Sequence, residues 1–128
     1  MKPITQEWIN KAEGDFATAH REIQVKTKAN YDAVCFHAQQ CAEKYLKGYL
    51  QELDIHFDRT HELTVLLDSV LRVQPEWESL RSRLKLLTEY AVQYRYPGES
   101  ATKKDAEKAL GDCLQVRQVI SKCLLQSE

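Results

Sequence analysis

Polar side chains along one stretch of the sequence could bind a phosphate group. Gln40, Lys44 and Lys47 recur at intervals of three or four residues, which places them on one face of an α-helix. Two ammonium groups about one helical turn apart can hold an anion. The alternative is that this face is simply solvated, as the polar face of an amphipathic helix commonly is. The pattern indicates a phosphate site and leaves that alternative open.

A second group of candidates lies in residues 90–98, where three tyrosines and an arginine gather at a predicted helix end. The planar guanidinium of Arg95 suits phosphate, and a tyrosine such as Tyr96 can stack on a base. The alternative is that the tyrosines close the end of the bundle and Arg95 complements the helix dipole. His61, near another helix start, could donate a hydrogen bond into the same site or have only a local structural role.

Other chemistry finds little support in the sequence. It contains no glycine-rich phosphate loop, no G-x-S-x-G and no H-E-x-x-H. Cys35, His37 and Cys41 share a predicted helix, where His37 and Cys41 are four residues apart and could share a metal. A third ligand on the same face is missing, so we interpret these side chains as core or near-core and not as a metal site. Without Glu-x-x-His spacing, three helix carboxylates are predicted to be solvated or ion-paired: Asp15, Glu43 and Glu89. We therefore predict no catalytic residue, no metal and no cofactor.

The elements that would position these residues are all helical. Apolar residues recur at steps of three and four, and no period-two run indicates a strand. Five helices are predicted, over residues 5–25, 31–53, 60–71, 76–94 and 102–124. Their short connections predict an all-α fold, an antiparallel up-and-down bundle of about five helices in a single domain, 1–128. The broad apolar stripe of the second helix indicates that it lies at the centre.

Several residues predict how the helices begin and pack. Asn30 and Thr60 are suited to cap the second and third helices, and Thr102 with Asp105 resembles a capping box before the last. Gly14, inside the first helix, suggests a place where another helix approaches closely. These are local signals, so each predicts one helix end or one contact.

Composition restricts the kind of partner. The chain has 128 residues with 18 basic and 19 acidic side chains, a net charge of -1. Non-specific binding of nucleic acid usually needs a basic excess, so any nucleotide or RNA site must be local. The first residues do not resemble a signal peptide, and no apolar run is long enough to span a membrane. The 4 cysteines are expected to be reduced thiols. Together these features predict a cytoplasmic protein with no membrane contact.

These residues, taken in order, resemble the HEPN family of small helical bundles. The matching segments extend over most of the chain: Trp8-x-x-x-Ala12-x-x-Asp15, residues 31–47, Thr60-His61-Glu62-Leu63, Arg95-Tyr96-Pro97 and Asp105-Ala106-Glu107. The resemblance implies a bundle that usually forms a homodimer and associates with a small nucleotidyltransferase, commonly as a toxin–antitoxin pair. It also implies nucleotide binding, which suits the phosphate-binding candidates Gln40, Lys44, Lys47, His61, Arg95 and Tyr96.

The sequence departs from the family at one important point. Many HEPN proteins are metal-independent RNases that carry an arginine a few residues before a histidine. Here every histidine lies in the first half, and the arginines that precede one, Arg21 and Arg59, lack that spacing. General acid–base cleavage by that motif is therefore not expected. We infer a non-catalytic nucleotide-binding and partner module; a divergent RNase toxin, or a dimer that only stabilises its partner, are the alternatives.

Overall fold

Five α-helices and one short 3-10 helix form the protein in the computed structural model, which describes residues 1–126. The helices are α1 (Pro3–Glu22), α2 (Tyr31–Glu52), α3 (Leu63–Val70), a 3-10 helix (Pro75–Leu80), α4 (Arg81–Gln93) and α5 (Lys103–Gln126). No strand occurs in this part of the chain, so the predicted all-α fold is confirmed. No helix among these residues has the length and apolar character that a membrane span requires.

Helix α2 is the centre of the bundle. It packs against α1, α3, α4 and α5, and most of its residues between Val34 and Leu50 are buried. A helix at the surface of a protein buries one stripe of side chains. A helix with neighbours on several sides buries several, and each buried side must consist of apolar side chains or of polar side chains that are paired. The central position predicted from its broad apolar stripe is thus confirmed, and three polar residues of α2, Gln39, Glu43 and Lys47, are buried with the apolar ones.

Two of the predicted helix caps are present. The side-chain oxygen of Asn30 accepts a hydrogen bond of 3.0 Å from the backbone N–H of Ala33 at the start of α2. Before α5, the N–H of Asp105 donates to Thr102 Oγ1 at 3.1 Å, and the N–H of Thr102 donates to Asp105 Oδ2 at 3.0 Å. This reciprocal pair is a capping box.

The predicted Thr60 cap is wrong. Helix α3 begins at Leu63, with Glu62 at the capping position. The hydroxyl of Thr60 accepts only the N–H of Glu62, at 3.1 Å. The reason is a tertiary contact. The N–H of Leu63 donates to the hydroxyl of Thr88 on α4, at 3.2 Å, so a residue distant in the sequence accepts the hydrogen bond that a local capping residue would have accepted.

The fourth predicted helix is divided. Residues 75–80 form a 3-10 helix, and the α-helix begins only at Arg81. Trp77 and Leu80 are the buried residues of the short helix, and residues three apart eclipse one another when there are three residues per turn. The tighter helix therefore directs both large side chains into the core.

Close approach of two helices occurs at Gly48 and not at the predicted Gly14. A β-carbon built on Gly48 would lie 3.0 Å from Cβ of Trp8 and 3.2 Å from Cδ1 of Ile9, whereas one on Gly14 meets nothing within 4 Å. The expectation for Gly14 is wrong because that position faces open space. Gly48 is what lets α1 lie directly on α2.

We predict opposite effects for alanine at the two glycines. Gly48→Ala should destabilise the protein by about 1–3 kcal/mol, because Cβ of Trp8 is fixed to its backbone and α1 must shift. Gly14→Ala should stabilise it by up to about 1 kcal/mol, since alanine favours the helix and nothing obstructs it. Urea denaturation of both variants measures the effects. Equal stabilisation by both would show that α1 is not packed on α2 at Gly48.

Candidate functional site

A cleft of about 310 Å³ opens between α2, α4 and the segment before α3. Its lining residues are Phe36, Gln39, Gln40, His61, Thr88, Ala91, Val92 and Arg95. We call it the His61 cleft. It brings together three of the predicted site residues, Gln40, His61 and Arg95, which lie far apart in the sequence. The fold therefore assembles half of the predicted set at one place.

A buried carboxylate holds two of the residues that line the His61 cleft. Glu43 is only 4% exposed. Its Oε1 accepts from Gln39 Nε2 at 3.0 Å and from His61 Nδ1 at 2.9 Å. Its Oε2 accepts from Lys47 Nζ at 3.0 Å. Gln40 extends the network by donating to Gln39 Oε1 at 2.8 Å. The polar groups around the cleft are thus held by one another.

The charge of Glu43 is stabilised by these donors. Burial alone would raise the pKa of Glu43, but the hydrogen bonds from His61, Gln39 and Lys47 together outweigh it and hold the pKa below its ordinary value. Glu43 is therefore ionised at neutral pH. Because its partner Lys47 is positive, the pair presents little net charge to the cleft.

The bond to Glu43 fixes the orientation of His61. The imidazole uses Nδ1 for the carboxylate, which leaves Nε2 for another partner, while most of the ring is exposed. A carboxylate on one ring nitrogen commonly sets the tautomer and direction of a histidine that acts through the other. His61 thus has a fixed polar atom available to a ligand.

Arg95 lies just beyond the end of α4, which terminates at Gln93. Its backbone N–H bonds the carbonyl of Val92 at 3.4 Å. Its guanidinium lies at the surface and has no hydrogen bond or ion pair with any other residue of the described 126. An unpaired guanidinium beside a cleft keeps its donors for a ligand.

The two lysines predicted to bind phosphate have carboxylate partners instead. Lys47 is 8% exposed and paired with Glu43, and its ammonium lies 5.9 Å from the centre of the Trp8 ring. Lys44 donates to Asp15 Oδ2 at 2.6 Å. Neither lines the His61 cleft. The structure thus places these lysines outside the lining of the cleft, where they are paired with acidic groups.

Tyr96, the last predicted site residue, is 62% exposed and does not line the His61 cleft. The tyrosines nearer the bundle are its neighbours Tyr90 and Tyr94, whose rings lie 5.5 Å apart at an angle of 48°. Their hydroxyls donate to Asp105, at 3.4 Å and 2.9 Å. These tyrosines close the end of the bundle, as the alternative interpretation expected.

Sequence reasoning missed a second oriented histidine. His37 donates from Nδ1 to Asp15 Oδ1 at 2.8 Å, and the other oxygen of Asp15 holds Lys44. The only sequence signal was the polar character of Asp15 and His37 on two helices expected to pack together. Which faces meet could not be read from either helix alone.

His37 lines a second pocket, of about 270 Å³, next to the His61 cleft. We call it the Tyr94 pocket. Its lining residues are Asn30, Asp32, Ala33, Phe36, His37, Tyr90, Ala91, Tyr94 and Arg95. Phe36, Ala91 and Arg95 line both cavities. Arg95 therefore lies between two adjoining cavities.

The residues considered as metal ligands have other environments. Cys35 and Cys41 are fully buried in the core, and burial raises the pKa of the Cys35 thiol to about 12. Within residues 1–126 no group of three or more His, Cys, Asp or Glu side chains is arranged to hold a metal ion. Of the helix carboxylates, Asp15 and Glu43 are ion-paired as predicted.

Comparison with known proteins identifies relatives along almost the whole chain. A protein of Methanocaldococcus jannaschii named "Putative toxin MJ1304" is 32% identical over 130 residues, covering 88% of this chain and 83% of that protein. The crystal structure of ST0689, described as an archaeal HEPN homologue, matches with a TM-score of 0.75 at 25% identity, covering 95% of this chain and 98% of that one.

A second solved structure is similar to this chain to about the same degree. TT1696 from Thermus thermophilus matches with a TM-score of 0.73 at 25% identity, covering 92% of this chain and 96% of that one. The family model of the HEPN domain matches residues 5–123. The resemblance inferred from the sequence is confirmed: this chain belongs to the HEPN family.

Proposed function

We propose that this protein is a non-catalytic HEPN module that binds the phosphate of a nucleotide in the His61 cleft and acts as the partner of a small nucleotidyltransferase in a toxin–antitoxin-like pair. The unpaired guanidinium of Arg95 beside the cleft is the observation that carries the proposal. Its planar fork can make two parallel charge-assisted hydrogen bonds to one phosphate.

The surroundings of Arg95 favour an anion. His61 has Nε2 available on the same cleft because Nδ1 is held by Glu43. The negative charge of Glu43 is offset by Lys47, so it does not repel a phosphate strongly. Lys47 thus supports the site indirectly, although it does not line the cleft.

We expect Arg95→Ala to weaken binding of ATP and of inorganic pyrophosphate by about tenfold or more, because a hydrogen bond to a charged group contributes about 1.5–3 kcal/mol. Isothermal titration calorimetry measures both ligands. The matched control is Arg72→Ala, which removes an exposed arginine that lies outside both cavities. Equal loss in the two variants, or loss in neither, would refute the site.

The proposed lack of catalysis rests on the missing arginine–histidine motif. The partner and the homodimer are inferred from the family. Affinity purification of the tagged protein from its native cells, followed by mass spectrometry, should recover a small nucleotidyltransferase in stoichiometric amount. Analytical ultracentrifugation of the isolated protein should give the mass of a dimer. Recovery of the homodimer alone would remove the partner from the proposal.

A divergent RNase toxin is the second candidate, and one arrangement favours it. His61 and His37 are each oriented by a carboxylate and line cavities that share Arg95. Two histidines beside an arginine are suited to acid–base cleavage of RNA next to a 2′-hydroxyl. Growth arrest on expression that Arg95→Ala abolishes would support this candidate. Normal growth together with intact RNA after incubation with the protein would exclude it.

A further inference from the structure

The Tyr94 pocket adjoins the proposed phosphate site and has more aromatic side chains in its lining. The His61 cleft is lined by two amides, a histidine, a hydroxyl and Arg95, together with the apolar side chains of Phe36, Ala91 and Val92. The Tyr94 pocket is lined by three aromatic rings, Phe36, Tyr90 and Tyr94, and by the polar side chains of Asn30, Asp32 and His37. Arg95 lines both. A ligand with a flat and a charged part could place one in each.

The three aromatic side chains give the pocket a surface suited to a flat ligand. Phe36 is 41% exposed although it is a large apolar side chain. The hydroxyls of Tyr90 and Tyr94 are bonded to Asp105. Burial and the Asp105 charge raise the pKa of Tyr94, so the ring stays neutral. A flat heteroaromatic group stacks on such faces.

Three polar residues of the Tyr94 pocket each have an atom left after their structural bonds. Asn30 uses its oxygen to cap α2, which leaves the amide NH₂. Asp32 uses Oδ1 to accept the N–H of Ala101 at 2.7 Å, which leaves Oδ2. His37 uses Nδ1 for Asp15, which leaves Nε2. No further partner of these atoms occurs among residues 1–126.

We propose that the Tyr94 pocket binds the base of a nucleotide whose phosphate lies on Arg95, and that it prefers bases with an exocyclic amino group. Asp32 Oδ2 can accept a hydrogen bond from the amino group of adenine, guanine or cytosine, which uracil lacks. This inference rests on the proposed phosphate site and adds the class of ligand.

Titrations with AMP, UMP, ribose 5-phosphate and inorganic pyrophosphate test the inference in the full chain. AMP should bind about tenfold more tightly than UMP, since a well-placed base contact discriminates by about 1–3 kcal/mol. Phe36→Ala should weaken AMP by about tenfold through lost stacking. Pyrophosphate has no ring to stack, so its affinity should fall much less although Phe36 lines both cavities. Phe36 is exposed and lies outside the core cluster, so this variant is expected to fold.

Asp32→Asn tests the base preference more directly than Phe36→Ala does. Asparagine keeps an oxygen for the N–H of Ala101 but replaces Oδ2 with an amide NH₂, so the preference for AMP over UMP should disappear. Thermal unfolding of each variant checks that the fold is retained.

The possible results distinguish the proposed base pocket from the proposed phosphate site. If pyrophosphate binding depends on Arg95 but AMP binds no better than ribose 5-phosphate, the base pocket is wrong and the phosphate site stands. An unchanged ratio of AMP to UMP affinity in Asp32→Asn would overturn the assignment of Asp32. If no ligand binds in an Arg95-dependent way, both proposals fail together.

Discussion

Replacing Glu43 with glutamine is expected to lower the free energy of unfolding by about 3 kcal/mol or more. The change leaves the ammonium of Lys47 in a nearly buried position without its counter-charge, and breaking a buried ion pair by removing one partner typically costs about 3–5 kcal/mol. The Trp8 ring 5.9 Å from Lys47 Nζ offers partial compensation, which places the expectation at the lower end. Guanidinium denaturation at neutral pH measures the loss.

The double variant Glu43→Gln/Lys47→Met is the control. It removes the stranded charge and keeps an apolar side chain of similar length, so it should recover much of the stability that the single variant loses. If Glu43→Gln alone unfolds at the same denaturant concentration as the wild type, Lys47 reaches solvent in solution and its buried ion pair is not as the structure has it.

The same pair predicts a dependence on pH. The pKa of Glu43 in the folded protein lies below its ordinary value of 4.5, so the unfolded chain binds the proton more readily. The contribution of Glu43 is therefore fully present above about pH 4.5 and is lost as the pH falls through the folded pKa. Denaturation curves of the wild type and Glu43→Gln should approach each other at acidic pH. A difference that is constant from about pH 7 to about pH 3 would contradict this.

Removing core volume from α2 should be comparably severe. Leu46 is fully buried on the central helix, and Leu46→Ala is expected to cost about 2–5 kcal/mol because the lost contacts leave a cavity. The control is Leu125→Ala on α5, where the side chain is 67% exposed and the expected change is within about 0.5 kcal/mol. Denaturation of both variants under the same conditions provides the comparison.

A small effect of Leu46→Ala would mean that the helices around α2 can close the space left by the side chain. That outcome would contradict a close-packed core around α2, since packed interiors relax only partly around a deletion.

The helices and their order were predictable because their signals are local. The apolar stripe of α2 and the caps at Asn30 and Thr102 depend on residues within one or two turns. The start of α3 was not predictable in this way, because the hydroxyl that bonds Leu63 comes from α4. Gly48 was missed for the same reason: its importance comes from Trp8 on another helix.

The candidate site shows the same division. Arg95 and His61 could be selected by residue type, and the fold brings them to one cleft. The burial of Lys47 could not be predicted from the sequence. Lys47 follows Glu43 by four residues on α2, and this spacing is compatible both with an ion pair between them and with a side chain that points to solvent. Only the packing of α2 on its neighbours decides that it is buried. Polar residues of a central helix are the ones for which sequence is least informative.

The unequal contacts of the helices have a consequence for hydrogen exchange. Helix α1 packs mainly on α2 and only slightly on α5, whereas α2 contacts every other α-helix. The interface of α1 with α2 is extensive, and Glu13 on α1 is ion-paired with Arg117 on α5 at 2.7 Å. α1 can therefore open as a local unit only when both are broken, and its amide protons should exchange no sooner than those of the shorter helix α3. Such an opening would release His37 and Lys44 from Asp15. The protection of α1 amides would then report directly on whether the Tyr94 pocket retains its oriented histidine.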